Sequence, residues 1–207
     1  MGMELEWKYA VSDPALLNEI LRWEEIQRRM LETPRQYHMQ SAYYDTPDRR
    51  FSRERITIRR RLENETAVVC VKAPLANAAY PNLRGEWEWE LETDDLAAAL
   101  PLLAAQGAPQ AIVEAACLQS LWRADFTRRA MLLRLDDGST AELALDQGRL
   151  FGPARFVPFC ELELECKTGE PDAARAFVAA IAAHFSLEVQ PLSKLARAKA
   201  LEQVPPF

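Results

Sequence analysis

Strict alternation of charged and apolar residues recurs in five or six segments of this chain, and it narrows what those segments can become. The first is Glu4-Leu5-Glu6-Trp7-Lys8, and the last strong one is Glu161-Leu162-Glu163-Leu164-Glu165-Cys166-Lys167. A period of two belongs to β-strands, where successive side chains point to opposite faces. Glu4, Glu6 and Lys8 therefore share one side, and Leu5 and Trp7 share the other. By the same parity Arg59 pairs with Arg61, and Lys72 with Cys70 and Val68. Arg84, Glu86, Glu88 and Glu90 form another ionic row backed by Trp87, Trp89 and Leu91, and Glu142 and Asp146 stand opposite Leu143 and Leu145.

Both signs of charge thus lie in one register around the whole sheet. With helices over the apolar side, an antiparallel sheet of this pattern can close into a barrel whose lumen is wet and ionic, or leave each charged face simply solvated, as in many one-sided antiparallel sheets. The repeated Glu-x-Glu pairs, Glu4/Glu6, Glu86/Glu88 and Glu161/Glu163, sharpen the reading. Two carboxylates about 4 Å apart repel by on the order of 1 kcal/mol in water, and more where the dielectric falls. Counter-charge comes from Lys8, Arg59, Arg61, Lys72, Arg84, Arg128, Arg134 and Lys167, or from Mg²⁺ or Mn²⁺, which favour oxygen ligands. Carboxylates for a hard cation and bases for phosphate oxygens on one surface suggest a metal-assisted phosphate site.

Bulk properties set the outer limits. With 207 residues, 49% of them hydrophobic, the chain can bury a substantial core, and it is read as one unit over 1–207. A net charge of −6 argues against a nucleic-acid binder, which needs a net basic surface. No apolar run approaches the roughly 20 residues of a membrane span, and the start, Met1-Gly2-Met3-Glu4, lacks the pattern of a signal peptide. A cytoplasmic location, away from membranes, is the expectation. Cys70, Cys117, Cys160 and Cys166 show no Cys-x-x-Cys spacing, and only His38 and His184 accompany them, so a structural zinc site is not expected.

Along the chain, Asp13 caps a helix that Pro14 opens and Thr33-Pro34 stops near Leu31. Strands follow over Gln36 to Tyr44, Arg55 to Leu62, Thr66 to Lys72 and Arg84 to Leu91, with a loop over 75–83. Pro101 and Gly107-Ala108-Pro109 divide the middle into two short helices. Further strands are predicted over Leu121 to Thr127, Ala130 to Leu135, Thr140 to Asp146 and Phe159 to Lys167, with a turn at Gln147-Gly148-Arg149. An alanine-rich helix begins at Pro171, and Ser193 caps a last one.

In sequence order these motifs resemble the CYTH superfamily, also called the triphosphate tunnel metalloenzymes. Glu4, Glu6 and Lys8 form its Glu-x-Glu-x-Lys signature at the N-terminus. Tyr43-Tyr44-Asp45-Thr46-Pro47 is similar to its turn after the second strand, Ile58-Arg59-Arg60-Arg61 to its Arg-x-Arg strand, and Val71-Lys72-Ala73-Pro74 to its lysine strand. Arg84-Gly85-Glu86-Trp87-Glu88, Phe126-Thr127-Arg128, Glu142 to Gly148, Glu161 to Glu165 and Ser193-Lys194 complete the order. Two features depart from the pattern. The usual glycine before the Arg-x-Arg strand is absent, since Arg53-Glu54-Arg55 stands there, and 75–83 carries no signature.

The resemblance implies an α+β fold: an eight-stranded antiparallel β-barrel, the triphosphate tunnel, with helices packed on the outside. It implies that Lys8, Arg59, Arg61, Lys72, Arg128 and Lys194 grip phosphate and that Glu4, Glu6, Glu161 and Glu163 hold metal. Glu86, Glu88 and Asp146 would then serve a second metal or the attacking water. The leading expectation is hydrolysis of inorganic triphosphate to pyrophosphate and phosphate with Mg²⁺ or Mn²⁺. Thiamine triphosphate, or ATP cyclised to cyclic AMP, are alternative substrates for the same site, and a non-catalytic polyphosphate or nucleotide receptor is a third reading. The expected partner is a small-molecule triphosphate, with the chain acting alone or as an oligomer such as a homodimer.

Overall fold

The computed structural model describes residues 5–74, 84–91, 96–105, 107, 110–113 and 117–202. The chain opens with β1 (Glu6–Ala10), α1 (Pro14–Arg22) and α2 (Glu24–Gln27), then β2 (Arg35–Asp45) and the short α3 (Arg50–Arg53). β3 (Thr57–Glu63), β4 (Thr66–Pro74) and β5 (Arg84–Leu91) lead to α4 (Leu96–Ala105) and α5 (Gln110–Val113). The long strands β6 (Gln119–Arg134), β7 (Thr140–Phe151) and β8 (Phe156–Thr168) precede α6 (Pro171–His184), β9 (Glu188–Val189) and α7 (Lys194–Ala200). The loop expected at 75–83 lies outside the described residues.

All the strands join one antiparallel sheet of nine, ordered β5-β4-β3-β2-β6-β7-β8-β1-β9. Eight are the strands foreseen for the tunnel. The ninth, β9, is a two-residue addition that pairs with Tyr9 and Ala10 of β1. Among the described residues no ladder joins the outer strands β5 and β9, so the sheet curls without a continuous seam of hydrogen bonds. Its curl is nonetheless deep, because side chains from β1, β2, β3, β4, β6, β7 and β8 line one common cavity.

Alternation decides which face goes where. Leu143, Leu145, Leu162 and Leu164 are buried under α1 and α6, against Leu17, Ile20, Phe177 and Ile181. Each such apolar side chain contributes about 1.5–3 kcal/mol when taken fully out of water. On the other flank Ile58, Val69 and Val71 pack beneath α4 and α5, with Trp87 and Trp89 beside them. The intervening charged residues are left facing the cavity. α7 is the exception to outside packing: Ala198 and Leu195 join Trp122, Phe126, Leu150 and Phe159 in a third cluster at one end of the concave side.

Three local expectations are corrected. The helix foreseen from Pro14 to Leu31 breaks at Trp23, whose backbone is extended (φ −61°, ψ 129°). Its indole stacks on His184 at 4.7 Å and meets Phe185 edge-on at 5.7 Å, so tertiary packing overrides helical continuity. The two strands foreseen on either side of Arg128-Arg129 are one strand, β6, because both arginines pair in register with β7. Gln147-Gly148-Arg149 is no turn but the middle of β7, where Gly148 lies opposite Phe126. A Cβ there would run into the Asp125 carbonyl and Phe126, so the glycine permits a close approach of two backbones.

Candidate active site

The concave cavity, roughly 1000 Å³ counted with its open mouth, is walled by charge of both signs. Lys8 and Glu6 stand on β1, Arg59 and Arg61 on β3, Lys72 on β4, Arg128 on β6, Glu163 on β8, and Lys194 at the start of α7. Strand register explains their assembly. Lys8 pairs with Glu163, Arg128 with Asp146, Asp146 with Glu161, and Lys72 with Glu86. Residues foreseen separately from parity therefore meet as cross-strand neighbours. Glu4 lies outside the described residues.

At the inner end, Asp146 and Glu161 are fully buried and Glu163 nearly so. Arg128 donates to both oxygens of Asp146 at 2.8 Å and also reaches Glu163. Lys194 Nζ lies 2.8 Å from Asp146 and 3.0 Å from Glu163, and touches Glu161. Arg197 donates to the second oxygen of Glu161. Below the ammonium, the rings of Phe126 and Phe159 lie 5.0 and 5.5 Å away. Ser193 sets this helix start by accepting from Ala196 N at 3.1 Å.

Burial and charge compete at these groups. Burial lifts the Glu161 carboxyl above its ordinary value, and Lys194 and Arg197 do not fully reverse it. At Glu163 burial acts the same way, but Lys194, Arg128 and Lys8 together outweigh it and hold the carboxyl low. Lys194 is desolvated yet held above its ordinary value by Asp146, Glu163 and Glu161. The result is a neutral cluster of three carboxylates and three cations.

The opposite wall is built more loosely. Arg59 and Arg61 come no nearer to Glu88 than 3.8 and 3.6 Å. Lys72 pairs with Glu86 at 3.0 Å, and the Cys70 thiol donates to the same carboxylate at 3.1 Å. Burial, with little relief from Arg59 and Lys72, pushes that thiol up to about 12, so it stays protonated. Burial and the neighbouring Arg59 draw Arg61 below its usual value. Burial works on Arg59 too, but the negative charges around it, Glu88 and Glu86 among them, hold it high. Its buried Nε has no hydrogen-bond partner among the described residues.

The sequence order of motifs and this common cavity lead to the same place, and the profile of the CYTH domain matches residues 2–198. The chain belongs to the CYTH domain family. Its fold is similar to that of a candidate adenylyl cyclase from Hippeastrum, described as having a dominant triphosphatase activity, at 18% identity and a TM-score of 0.64 over 98% of both chains. The PH1819 protein of Pyrococcus horikoshii is 20% identical, with a TM-score of 0.58 over 98% of this chain and 100% of that one. A candidate adenylate cyclase from Bacillus halodurans is 17% identical, with a TM-score of 0.58 over 92% of this chain and 94% of its own. At these identities the likeness is one of fold.

Among the described residues of this CYTH domain, two groups carry ligand atoms close enough to share a cation. Carboxylate oxygens of Asp146, Glu161 and Glu163 all lie within 4.8 Å of one another, as do donor atoms of Cys70, Glu86 and Glu88. The first set, all oxygen, fits Mg²⁺ or Mn²⁺ in kind. Arg197 was not foreseen, and Glu142 was read on the ionic face with Asp146 but given no role. Arg197 reads from sequence as a solvated helix residue, and only the landing of α7 on β8 gives it Glu161. Glu142, on the face shared with Asp146, lines the cavity. No helix among the described residues is long and apolar enough to cross a membrane.

Proposed function

We propose that this CYTH domain hydrolyses inorganic triphosphate to pyrophosphate and phosphate, with Mg²⁺ or Mn²⁺ held by carboxylates of the cavity. The observation that carries the reading is one cavity with basic side chains on β3 and β4 that is bordered, through Glu163, by a buried acidic cluster on β7 and β8. Phosphoryl transfer asks chiefly for positioning and charge stabilisation, and needs no protein nucleophile. Arg59, Arg61, Lys72 and Lys8 would bind the non-bridging oxygens and align the chain of phosphates. Glu86 fixes the Lys72 ammonium at 3.0 Å, and the phenyl rings under Lys194 shield its end of the cavity from water. When bound, a divalent cation would supply neutralisation of the developing charge and a more acidic water. Glu6, Glu161 and Glu163, with Asp146, would hold it, and Glu88 would orient the water.

The dominant triphosphatase activity attributed to the Hippeastrum relative supports this choice of reaction. Cyclase names among the relatives favour one alternative, the cyclisation of ATP at the same site. The deciding experiment incubates purified protein with tripolyphosphate and Mg²⁺ or Mn²⁺ and follows phosphate release. Release that disappears in Lys72→Ala is expected. Absence of release with every divalent ion defeats the proposal, and formation of cyclic AMP with pyrophosphate from ATP transfers it to the cyclase reading. The proposed partner is thus a small triphosphate rather than a nucleic acid or a membrane. A homodimer is compatible with a cavity built within one chain.

A further inference from the structure

Six carboxylate oxygens meet at the inner end of the cavity, two each from Asp146, Glu161 and Glu163, and every one already touches a cation of this chain. Arg128 takes both oxygens of Asp146 and Oε2 of Glu163. Arg197 takes Oε2 of Glu161. Lys194 Nζ contacts Asp146 Oδ2, Glu161 Oε1 and Glu163 Oε1 together. The trio can present oxygens within 4.8 Å of one another, and the ammonium stands where all three groups are reached. A divalent ion shared by the same trio needs that position, with ligands at about 2.0–2.1 Å for Mg²⁺. Ammonium and metal are therefore alternatives.

We propose that Lys194 is the resident counter-ion of Asp146, Glu161 and Glu163, and that it excludes a divalent cation from them until a polyphosphate draws its ammonium away. Lys194 is suited to the exchange. It lines the cavity as well as touching the acids, and its flexible four-carbon stem can turn while the backbone stays capped by Ser193. Arginine in its place would keep the charge, whereas a neutral residue would leave three close carboxylates short of one cation. Metal and polyphosphate would then enter cooperatively, each raising affinity for the other through the same side chain. This inference rests on the reading that the cavity takes both ligands, and it assigns Lys194 a positioning role in their order of entry.

The test measures Mn²⁺ binding to the full chain by electron paramagnetic resonance, without any phosphate present. Lys194→Gln is expected to bind Mn²⁺ about tenfold tighter than the unaltered protein, while Lys194→Arg stays weak. In melting experiments Lys194→Gln should lose stability in chelator and recover it with Mn²⁺. Equal or weaker Mn²⁺ binding by Lys194→Gln overturns the proposal. If circular dichroism shows that this variant does not fold, Arg128→Gln removes a cation from the same trio. Tighter binding there supports the exclusion, and unchanged binding overturns it. Because no substrate is used, a protein inactive on triphosphate can still pass. An active enzyme with unchanged Mn²⁺ affinity sinks this inference alone.

Discussion

The two ends of the cavity use the same residue types in opposite ways. At the inner end Asp146, Glu161 and Glu163 are bound at every oxygen by Arg128, Lys194 and Arg197, and side-chain exposure of the acids is 12% or less. On the β3–β5 wall, Glu88 is 46% exposed and stands 3.6–3.8 Å from its arginines. The first end is a closed ionic lock that holds α7 to the curled sheet. The second pairs Arg61 closely with Glu63 but leaves Arg59 3.8 Å from Glu88 with its buried Nε unpartnered among the described residues, and so ready for an incoming polyanion. Short contacts between buried groups contribute to structure; a long contact to a half-exposed acid leaves charge available for binding.

Removing one acid from each end tests the contrast most severely. Glu161→Ala leaves Arg197 without its carboxylate and Lys194 with two of its three acids beside a buried gap, and breaking a buried pair in this way costs about 3–5 kcal/mol. For a chain of this size that corresponds to a melting temperature lower by roughly 10 °C. Glu88→Ala should stay within about 1 kcal/mol, as exposed pairs do. Thermal melts of the two variants that fall by equal amounts would erase the distinction. The next effect is on rate rather than stability. Arg59→Ala should lower phosphate release by about 10²–10³-fold, the usual loss for one preorganised donor to developing charge, with little change in melting. A variant that melts early but turns over normally would return Arg59 to the structural end of the comparison.

Which parts of this were legible in the sequence follows from how far each signal reaches. Parity within a strand is local, so the inward faces of β1, β3, β4, β5 and β8 could be read from alternation alone. Charge in the middle of β6 misled it: Arg128-Arg129 looks like a break until Asp146 on the neighbouring strand supplies a partner. Gln147-Gly148-Arg149 carries turn chemistry, but the glycine answers to backbone crowding from β6. The Ser193 cap was visible, yet nothing near Lys194 or Arg197 tells that Glu161 and Glu163 lie 31 to 36 positions earlier, with Asp146 further back still. Motif order named residues that the fold gathers around one cavity; only tertiary packing divides them into lock and open wall.

Gly148 sharpens the inner end. Its absent Cβ lets β7 approach Phe126, the ring beneath Lys194. Gly148→Ala forces that ring and the Asp125 backbone aside, an overpacking cost of about 1–3 kcal/mol. Melting should fall accordingly, and Mn²⁺ binding should change because the support under the ammonium has moved. Melting and Mn²⁺ affinity that both stay at the unaltered values would show that the lock tolerates a displaced floor.

The smallest expected effect lies at the entrance to the open wall. The glycine that the resemblance led one to look for before the Arg-x-Arg strand is missing, and the structure shows what replaces it. Arg55 takes up φ 59°, a left-handed conformation, between α3 and β3. Asp45 fixes the start of this turn, accepting from Phe51 N at 2.9 Å and Ser52 N at 3.1 Å, so the backbone has few alternatives by the time it reaches Arg55. A non-glycine residue in that region costs about 1–2 kcal/mol, against roughly 0.5–1 kcal/mol of extra unfolded-state freedom for glycine. Arg55→Gly should therefore raise stability by about 0.5–1 kcal/mol, by relieving the backbone. Melting would rise by roughly 2 °C. Lower melting would mean that contacts of the Arg55 side chain outweigh the backbone cost. In that case the wall carrying Arg59 and Arg61 is braced at its entrance by a side chain rather than merely strained there.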